Sequence, residues 1–183
     1  MSSRVAIHPV LDYFLDEFRS KHPQASGTRA GESDRFSITG SFQMQGGYFV
    51  TGTIINFPAK EHIRCIGPGG GLLAGRTVHL SSPEIELAGS LDEPIEVVAI
   101  DDLVLHATAL KLKNVSLYLF DNANFSFQCS SSEVENVRLF KMSLEGESLT
   151  IAPLQHWENP EQFMEFAASF KERAASRQEA VQQ

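Results

Sequence analysis

Two consecutive stretches of sequence decide the fold: residues 103–124, LVLHATALKLKNVSLYLFDNAN, and residues 125–146, FSFQCSSSEVENVRLFKMSLEG. When residue 103 is matched with residue 125, a spacing of 22, apolar positions fall on apolar positions, and Asn114-Val115-Ser116-Leu117 returns as Asn136-Val137-Arg138-Leu139. A fixed period of this length is typical of stacked coils, in which equivalent positions of successive coils lie above one another. The repeat therefore indicates an architecture rather than a chemistry.

Beyond Arg76 the sequence consists of short apolar pairs separated by polar or turn residues. Each pair occupies positions i and i+2, so both side chains point to one face of a strand. The pairs are Val78 and Leu80, Ile85 and Leu87, Ile95 and Val97, Leu103 and Leu105, Leu110 and Leu112, Val115 and Leu117, Phe125 and Phe127, Val137 and Leu139, Met142 and Leu144, and Leu149 and Ile151. Such short strands predict a mainly β fold, and the repeat favours a short β-solenoid. Because only two copies of the repeat align well, an antiparallel barrel or sandwich is the alternative.

An earlier segment alternates apolar and polar residues over much of its length. The alternating apolar residues are Phe36, Ile38, Phe42 and Met44, and then Tyr48, Val50 and Ile54. Gly46-Gly47 lies between the two sets and is a dipeptide that suits a tight turn. The pattern predicts a β-hairpin that does not follow the period of the later repeat.

Amphipathic helices are predicted at both ends of the β region. Residues 9–21 place apolar side chains at helical spacing after Pro9, and Pro23 ends the pattern. Near the C-terminus, Asn159 suits an N-cap, Pro160 the first helical position and Gln162 a capping box. Residues 24–34 contain no large apolar residue, which predicts a flexible linker. We therefore predict an N-terminal helix and linker over 1–34, a β domain over 35–153, and a C-terminal helix over 154–183 with a frayed tail beyond Ala175.

Composition limits the classes of partner. The chain of 183 residues has 23 acidic and 15 basic residues and a formal net charge of −8, which opposes attraction to phosphate backbones, so we expect no nucleic-acid partner. No apolar run approaches the roughly 18 residues of a membrane helix, and the start lacks the apolar core of a signal peptide. We expect no membrane insertion and a cytoplasmic location. Cys65 and Cys129 lie far apart without a CxxC spacing, which favours two buried thiols.

A glycine-rich segment, Gly67-Pro68-Gly69-Gly70-Gly71, is the strongest candidate for a small-ligand contact. Consecutive glycine N–H groups can turn inward on an anion. The segment lacks the terminal Gly-Lys-Ser/Thr of a phosphate-binding loop, so a plain turn is the simpler interpretation. With the flanking basic residues, the hypothetical anion site comprises Arg64, Gly69, Gly70, Arg76 and His79.

One compact group of carboxylates and imidazole occurs in the chain: Asp101, Asp102 and His106. Residues 102 and 106 share one face of a strand while residue 101 points away, so a metal site there needs ligands from elsewhere. A turn at Asp101-Asp102, followed by a strand with His106 on its polar face, is the more plausible interpretation. The sequence assigns no metal site, no cofactor and no catalytic residue.

The function that this pattern favours is a non-enzymatic protein-binding or scaffolding domain that presents a rigid β face to a protein partner or to another copy of itself. The candidate partner-binding residues are the phenylalanines on one face of the C-terminal helix, Phe163, Phe166 and Phe170, since an apolar helix face must cover its own domain or dock on a partner. The alternative is a small-molecule or carbohydrate binding protein, with or without enzymatic activity, that uses a barrel interior or the groove near Gly67 to Gly71.

Overall fold

The computed structural model describes residues 8–30, 35–37, 40–52, 54–67 and 69–166. The helix α1 spans Pro9–Lys21, and a second helix, α2, begins at residue 160 and is described to residue 166. The strands are β1 Gly27–Ala30, β2 Arg35–Ser37, β3 Phe42–Gln45, β4 Tyr48–Thr51, β5 Ile54–Pro58, β6 His62–Ile66, β7 Gly71–Ala88, β8 Ile95–Phe120, β9 Asn124–Gln128, β10 Ser131–Glu145 and β11 Ser148–Trp157. The chain is mostly β, and the strands form a β-solenoid of about 5 turns.

Each turn of the solenoid contributes to three parallel ladders, which we call side one, side two and side three. Side one stacks β2, β5, residues 77–81 of β7, residues 102–106 of β8, and β9. Side two stacks β3, β6, residues 84–88, residues 109–113 and residues 131–135. Side three contains β1, β4, residues 71–75, residues 95–99, residues 115–120 and residues 137–142. The final strand, β11, pairs antiparallel with β10 at the end of side three.

The 22-residue repeat is the stacking register of the later coils. Val115 pairs with Val137 and Leu117 with Leu139, so residues that align in sequence are neighbours in the ladder. Asn114 and Asn136 both have φ 51, a left-handed conformation that Asn tolerates better than most residues. The amide of Asn136 donates to Oδ1 of Asn114 at 2.8 Å, and the Asn114 amide donates to the Gly89 carbonyl at 3.0 Å. The recurring Asn therefore turns the corner and bonds the coils together.

The interior is filled by columns of apolar side chains. On side one, Val78, Leu80, Leu103 and Leu105 are fully buried, and they stack between Ile55 and Phe57 of the preceding coil and Phe125 and Phe127 of the next. Burial of a side chain of this size stabilises a fold by roughly 1.5–3 kcal/mol. The apolar i and i+2 pairs of the sequence are therefore the inward positions, and the solenoid prediction is confirmed.

The predicted hairpin is wrong. Strands β3 and β4 do not pair with each other: Phe42–Gln45 pairs in parallel with β6, and Tyr48–Thr51 pairs in parallel with β7. Gly46 and Gly47 have φ 66 and 80 and turn the chain around a corner from side two to side three. A hairpin turn and a solenoid corner both require residues that adopt positive φ, so the local signal is the same. The early coils therefore stack in parallel on the next coil, as the later coils do.

The period varies between coils, which explains why the early copies do not align in sequence. Ile54 pairs with Thr77, a spacing of 23, whereas Thr77 pairs with Asp102, a spacing of 25. The longer coil contains the corner around residues 89–94 and a register shift between Gly75 and Thr77. Extra residues at a corner leave the stacked strands in place while they shift the sequence spacing.

The stretch predicted as a linker contains a strand. Gly27–Ala30, inside the predicted linker, forms β1 and pairs in parallel with Tyr48–Thr51. A Cβ at Gly27 would lie 2.2 Å from the Tyr48 carbonyl oxygen, so this position requires glycine for close approach. The absence of large apolar residues thus reflects an edge strand in tight contact, and residues 31–34 lie outside the described residues.

The two helices occupy different places on the solenoid. α1 has the predicted bounds and packs five apolar residues on the outer surface of side three; they are Val10, Leu11, Phe14, Leu15 and Phe18. α2 has the predicted cap, since Oδ1 of Asn159 accepts from the backbone N–H of Gln162 at 3.0 Å. It packs on the end of the interior through Phe163. The predicted frayed tail beyond Ala175 lies outside the described residues.

Candidate functional site

The glycine-rich segment forms the corner between sides two and three. Gly69 and Gly70 have φ 98 and 71, and a Cβ at Gly70 would lie 3.0 Å from the Pro94 carbonyl oxygen of the next coil. The same space beside Gly69 contains the carboxylate of Glu93, 3.8 Å from the position of a Cβ. A carboxylate this close to Gly69 disfavours the binding of a further anion there. Both glycines meet a conformational and packing need of the corner.

The other residues of the hypothetical anion site lie on different parts of the coil. Arg64 is on the outer surface of side two, 3.3 Å from Oε1 of Glu84. Arg76 is at the corner between sides three and one, 3.3 Å from Oδ2 of Asp101. His79 is on the outer surface of side one. The fold does not bring the two arginines and His79 around Gly69 and Gly70.

The aromatic face of α2 is directed at its own domain. Phe163 is 0 % exposed, with its ring centroid 4.4 Å from that of Phe127 and 5.4 Å from that of Trp157. Phe166 lies 5.0 Å from Trp157, measured between ring centroids. Phe170 lies outside the described residues. In this arrangement Phe163 is an interior residue, and the partly buried Phe166 contributes to the surface around it.

Three of the large apolar residues that are exposed lie on the last hairpin, and sequence reasoning missed their exposure. We call the residues Leu144, Ile151 and Leu154 the hairpin patch; their exposed fractions are 39 %, 36 % and 52 %. Ile151 belongs to an apolar pair of the sequence, but β11 faces no further coil, so its alternation does not bury it. The place of β11 in the chain could have indicated this exposure, because β11 is the last strand before α2 and no further coil stacks on it.

The backbone of β11 is also available on one edge. Among the described strands, β11 pairs only with β10, with Ile151 opposite Met142 and Ala152 opposite Lys141. The register shifts between Leu139 and Phe140, and the extra residue is Leu154. A bulge and a proline, Pro153, are devices that limit uncontrolled edge pairing. The first part of the strand, from Ser148 to Ala152, has no such interruption.

An open groove lies beside the hairpin patch, with a volume of about 430 Å³. Its walls combine apolar and polar groups from both strands of the hairpin: Arg138, Phe140, Pro153, Leu154, Gln155 and His156. The imidazole Nε2 of His156 lies 2.7 Å from Oε1 of Glu158 and 2.9 Å from Oδ1 of Asn136, so this ring is held at the end of the asparagine ladder. The groove therefore has a fixed polar end and an exposed apolar end.

Three ionisable groups with raised pKa values lie outside β10 and β11, although the ring of one of them, Tyr118, stacks on Phe140 of β10 with ring centroids 4.8 Å apart. Burial raises the pKa of the Cys65 thiol to about 12, so this thiol is not a nucleophile at neutral pH. Burial under α1 also raises the pKa of Glu96; Lys21 opposes this shift and Glu17 adds to it. Burial raises the pKa of Tyr118 to about 12, with a further contribution from Glu96. The shifts at Glu96 and Tyr118 follow from packing between α1 and side three, whereas Cys65 is buried in the interior of the solenoid.

The carboxylate and imidazole group of the sequence is distributed over several partners. Asp101 pairs with Arg76, Oδ1 of Asp102 accepts from the Asn124 amide at 3.0 Å, and the His106 ring lies 3.0 Å from Oγ of Ser126. Within the part of the chain that the structure describes, no three His, Cys, Asp or Glu side chains converge to hold a metal ion.

Neither described helix is long and apolar enough to cross a membrane. Comparison with protein families, with curated proteins and with solved structures finds no match to this chain.

Proposed function

We propose that this chain is a non-enzymatic protein-binding or scaffolding domain, and that the hairpin formed by β10 and β11 is its binding surface. The observation that carries the proposal is the hairpin patch of Leu144, Ile151 and Leu154 beside a strand edge that has no partner among the described strands. Exposed apolar residues next to an open strand edge are the two components of recognition by strand addition.

The rest of the domain supports this role by its rigidity. The side chains inside the solenoid are almost fully buried, and strand pairing continues from the first coil to β11. A preformed strand pays little ordering entropy when a partner strand binds, so backbone hydrogen bonds contribute more of their free energy to affinity. A partner strand would pair with residues 148–152, and its apolar side chains would contact the hairpin patch.

The test places a photo-reactive side chain at Ile151 and, in a matched control, at Leu91. Leu91 is 80 % exposed at the corner around residues 89–94, so it samples solvent without a strand edge. Irradiation in cells of the source organism is expected to give one dominant protein adduct from position 151, either with another protein or with a second copy. Position 91 is expected to give none.

A second substitution distinguishes recognition from chance proximity. Leu154→Asp adds a charge to the hairpin patch, and because Leu154 is half exposed the fold tolerates it. We expect the adduct at position 151 to decrease at least tenfold in this variant. Equal yields from positions 151 and 91, or an adduct that Leu154→Asp does not change, would contradict the proposal.

A further inference from the structure

We propose that two copies of this chain pair through the outer surface of side two, with their coil stacks running in opposite directions. The basis is a column of charged residues that crosses four successive coils. Arg64 is the ladder neighbour of Glu86, Glu86 of Lys111, and Lys111 of Glu133. The sign of the charge thus alternates at every step along the stack. The column points outward, because the residues that follow its members in the strands are buried; they are Cys65, Leu87, Leu112 and Val134.

An alternating column of four charges is its own complement when it is read backwards. A two-fold axis in the interface, parallel to the strands and midway between the coils of Glu86 and Lys111, reverses the order of the coils in the second copy. Arg64 then faces Glu133 of the second copy, and Glu86 faces Lys111 of the second copy. Each contact occurs twice, as an isologous interface requires, so all four pairs are attractive.

The same column disfavours the other ways of packing two copies. If the two stacks ran in the same direction, every residue of the column would face its own equivalent, and Arg64 would meet Arg64. If the opposed stacks slid past each other by one coil, Glu86 would meet Glu86, and Arg64 would meet Lys111. Like charges that face each other cost free energy, so the pattern selects one orientation and one register.

The charges beside the column fit this register. The opposed pairs outside the column are Glu84 with Ala109, Lys113 with Ala88, and Glu135 with Ile66. None of these pairs brings like charges together. The ladder strands of side two carry three basic and four acidic side chains, so this surface is almost neutral although the chain has a formal net charge of −8. Charges on the other sides are screened by salt beyond about 8–10 Å.

The charges of the column are accessible to a second copy. An open groove of about 470 Å³ lies on this part of side two, and Glu86, Lys111 and Glu133 are among the residues that line it. Within the described residues, these three side chains have no ion pair. Arg64 lies 3.3 Å from Glu84, and its guanidinium has further N–H donors for a carboxylate of the second copy. Long side chains of one copy can therefore enter the groove of the other.

The experiment measures the sedimentation of the full chain over a range of concentrations. The column spans three coil spacings of about 4.8 Å, which is a narrow contact, so we expect a weak, reversible dimer that is populated at about 100 µM. Lys111→Glu and Glu86→Lys each place like charges opposite each other at both central contacts, and each should weaken the dimer at least tenfold. The matched control is Arg76→Glu, because it changes the net charge as Lys111→Glu does but lies at the corner between sides three and one. It should leave the dimer unchanged.

A mixture of the two variants separates contacts between copies from contacts within one chain. When a Lys111→Glu chain meets a Glu86→Lys chain in the proposed register, all four pairs of the column again have opposite signs. The equimolar mixture should therefore dimerise at least as tightly as the unmodified protein, although each variant alone is a monomer. Ion pairs within one chain are not restored by mixing. Thermal unfolding of each variant verifies that it is folded.

Three results would overturn the proposal. They are an unmodified protein that stays a monomer at about 500 µM, a dimer that Lys111→Glu and Glu86→Lys weaken no more than Arg76→Glu does, and a mixture that dimerises no better than its components. The charged column lies on a different side from the hairpin patch. Each of these results therefore leaves the test of the hairpin unaffected, and the two proposals fail separately.

Discussion

The helices α1 and α2 are both amphipathic and rich in Phe, yet they cover different kinds of surface. α1 lies on the outside of side three, where most of the outward residues are themselves apolar; the apolar ones that are buried are Tyr48, Val50, Leu72, Ala74, Val98, Ile100 and Met142. α2 lies across the end of the interior, where Phe163 joins the same cluster as Trp157 and Phe127. A helix on the flank and a helix on the end therefore have different consequences when they are lost.

The difference follows from the geometry of a solenoid. Its sides are closed by ladder hydrogen bonds, so an outer surface needs a helix only where outward residues are apolar. Its ends expose the apolar interior, so an end always needs a cover. α1 and side three form a cluster separate from the interior, whereas α2 is part of the interior. Four substitutions test this comparison, from the largest expected effect to the smallest.

Phe163→Ala should have the largest effect. Phe163 is 0 % exposed and contacts Trp157 and Phe127, and truncation of a buried Phe costs about 3–5 kcal/mol of the free energy of unfolding. Urea denaturation measures this loss. The matched control on the same helix is Met164→Ala, because Met164 is 41 % exposed. A loss below about 1 kcal/mol for Phe163→Ala would show that α2 is not part of the interior.

Leu11→Ala should cost less, about 2–3 kcal/mol, although Leu11 is also 0 % exposed. The helix lies on an outer surface, so it can shift toward the strands and close part of the cavity. The control is Tyr13→Ala, at a position 46 % exposed, with an expected loss below about 1 kcal/mol. Hydrogen exchange of β7 and β8 should stay slow in Leu11→Ala. Fast exchange in those strands would contradict the separation of flank and interior.

Asn136→Ala tests the coil stack, on which both helices depend. The substitution removes the hydrogen bond to Asn114 and places Ala at φ 51, and we expect a loss of about 1–2 kcal/mol. Asn136→Gly should lose less, because glycine adopts this φ without strain. Urea denaturation gives the free energy of unfolding of both variants. The difference between Asn136→Ala and Asn136→Gly reports the backbone strain, and the loss that remains in Asn136→Gly reports the missing side-chain amide. Equal losses would mean that the backbone conformation contributes nothing.

Glu96→Gln should have the smallest effect, and it depends on pH. Burial raises the pKa of Glu96 in the folded protein above its ordinary value of 4.5, so the folded state binds the proton more tightly than the unfolded state. The stability contribution of this group is therefore present below pH 4.5 and is lost as the pH rises through the folded pKa. Glu96→Gln should unfold at higher urea concentration than the unmodified protein at pH 7.

The pH dependence of Glu96→Gln shows whether the carboxylate is the cause of the difference in stability. A neutral amide removes the pH dependence of this position, so the two proteins should converge in stability toward pH 4. The charge of Lys21 lowers the pKa of Glu96 and so opposes the effect of burial, and Lys21→Met should lower the stability of the unmodified protein but not that of Glu96→Gln. If the difference in free energy of unfolding between Glu96→Gln and the unmodified protein were constant from pH 4 to pH 8, the carboxylate would be excluded as its cause.

Particular residues show why some sequence predictions hold. The cap of α2 was readable because Asn159 and Gln162 interact within one turn. The pairing of Val115 with Val137 was readable because stacking requires like residues at a fixed spacing. Gly46-Gly47 misled because a corner and a hairpin turn need the same φ. The anion site was not assembled, because Arg64, Arg76 and His79 flank one loop in sequence but lie on different sides of the coil.

The sequence by itself determined the local and periodic features: which residues alternate, where the helices begin, and which coils repeat at a spacing of 22. These depend on interactions between residues close in the chain or on equivalence between copies. Only the tertiary structure decided which apolar residues remain at the surface and which polar residues meet. Ile151 is exposed because the stack ends at β11, and His79 meets His106 because the coils set their register. Both outcomes depend on how many coils are stacked and on how long each corner is, and neither quantity is a property of a local pattern.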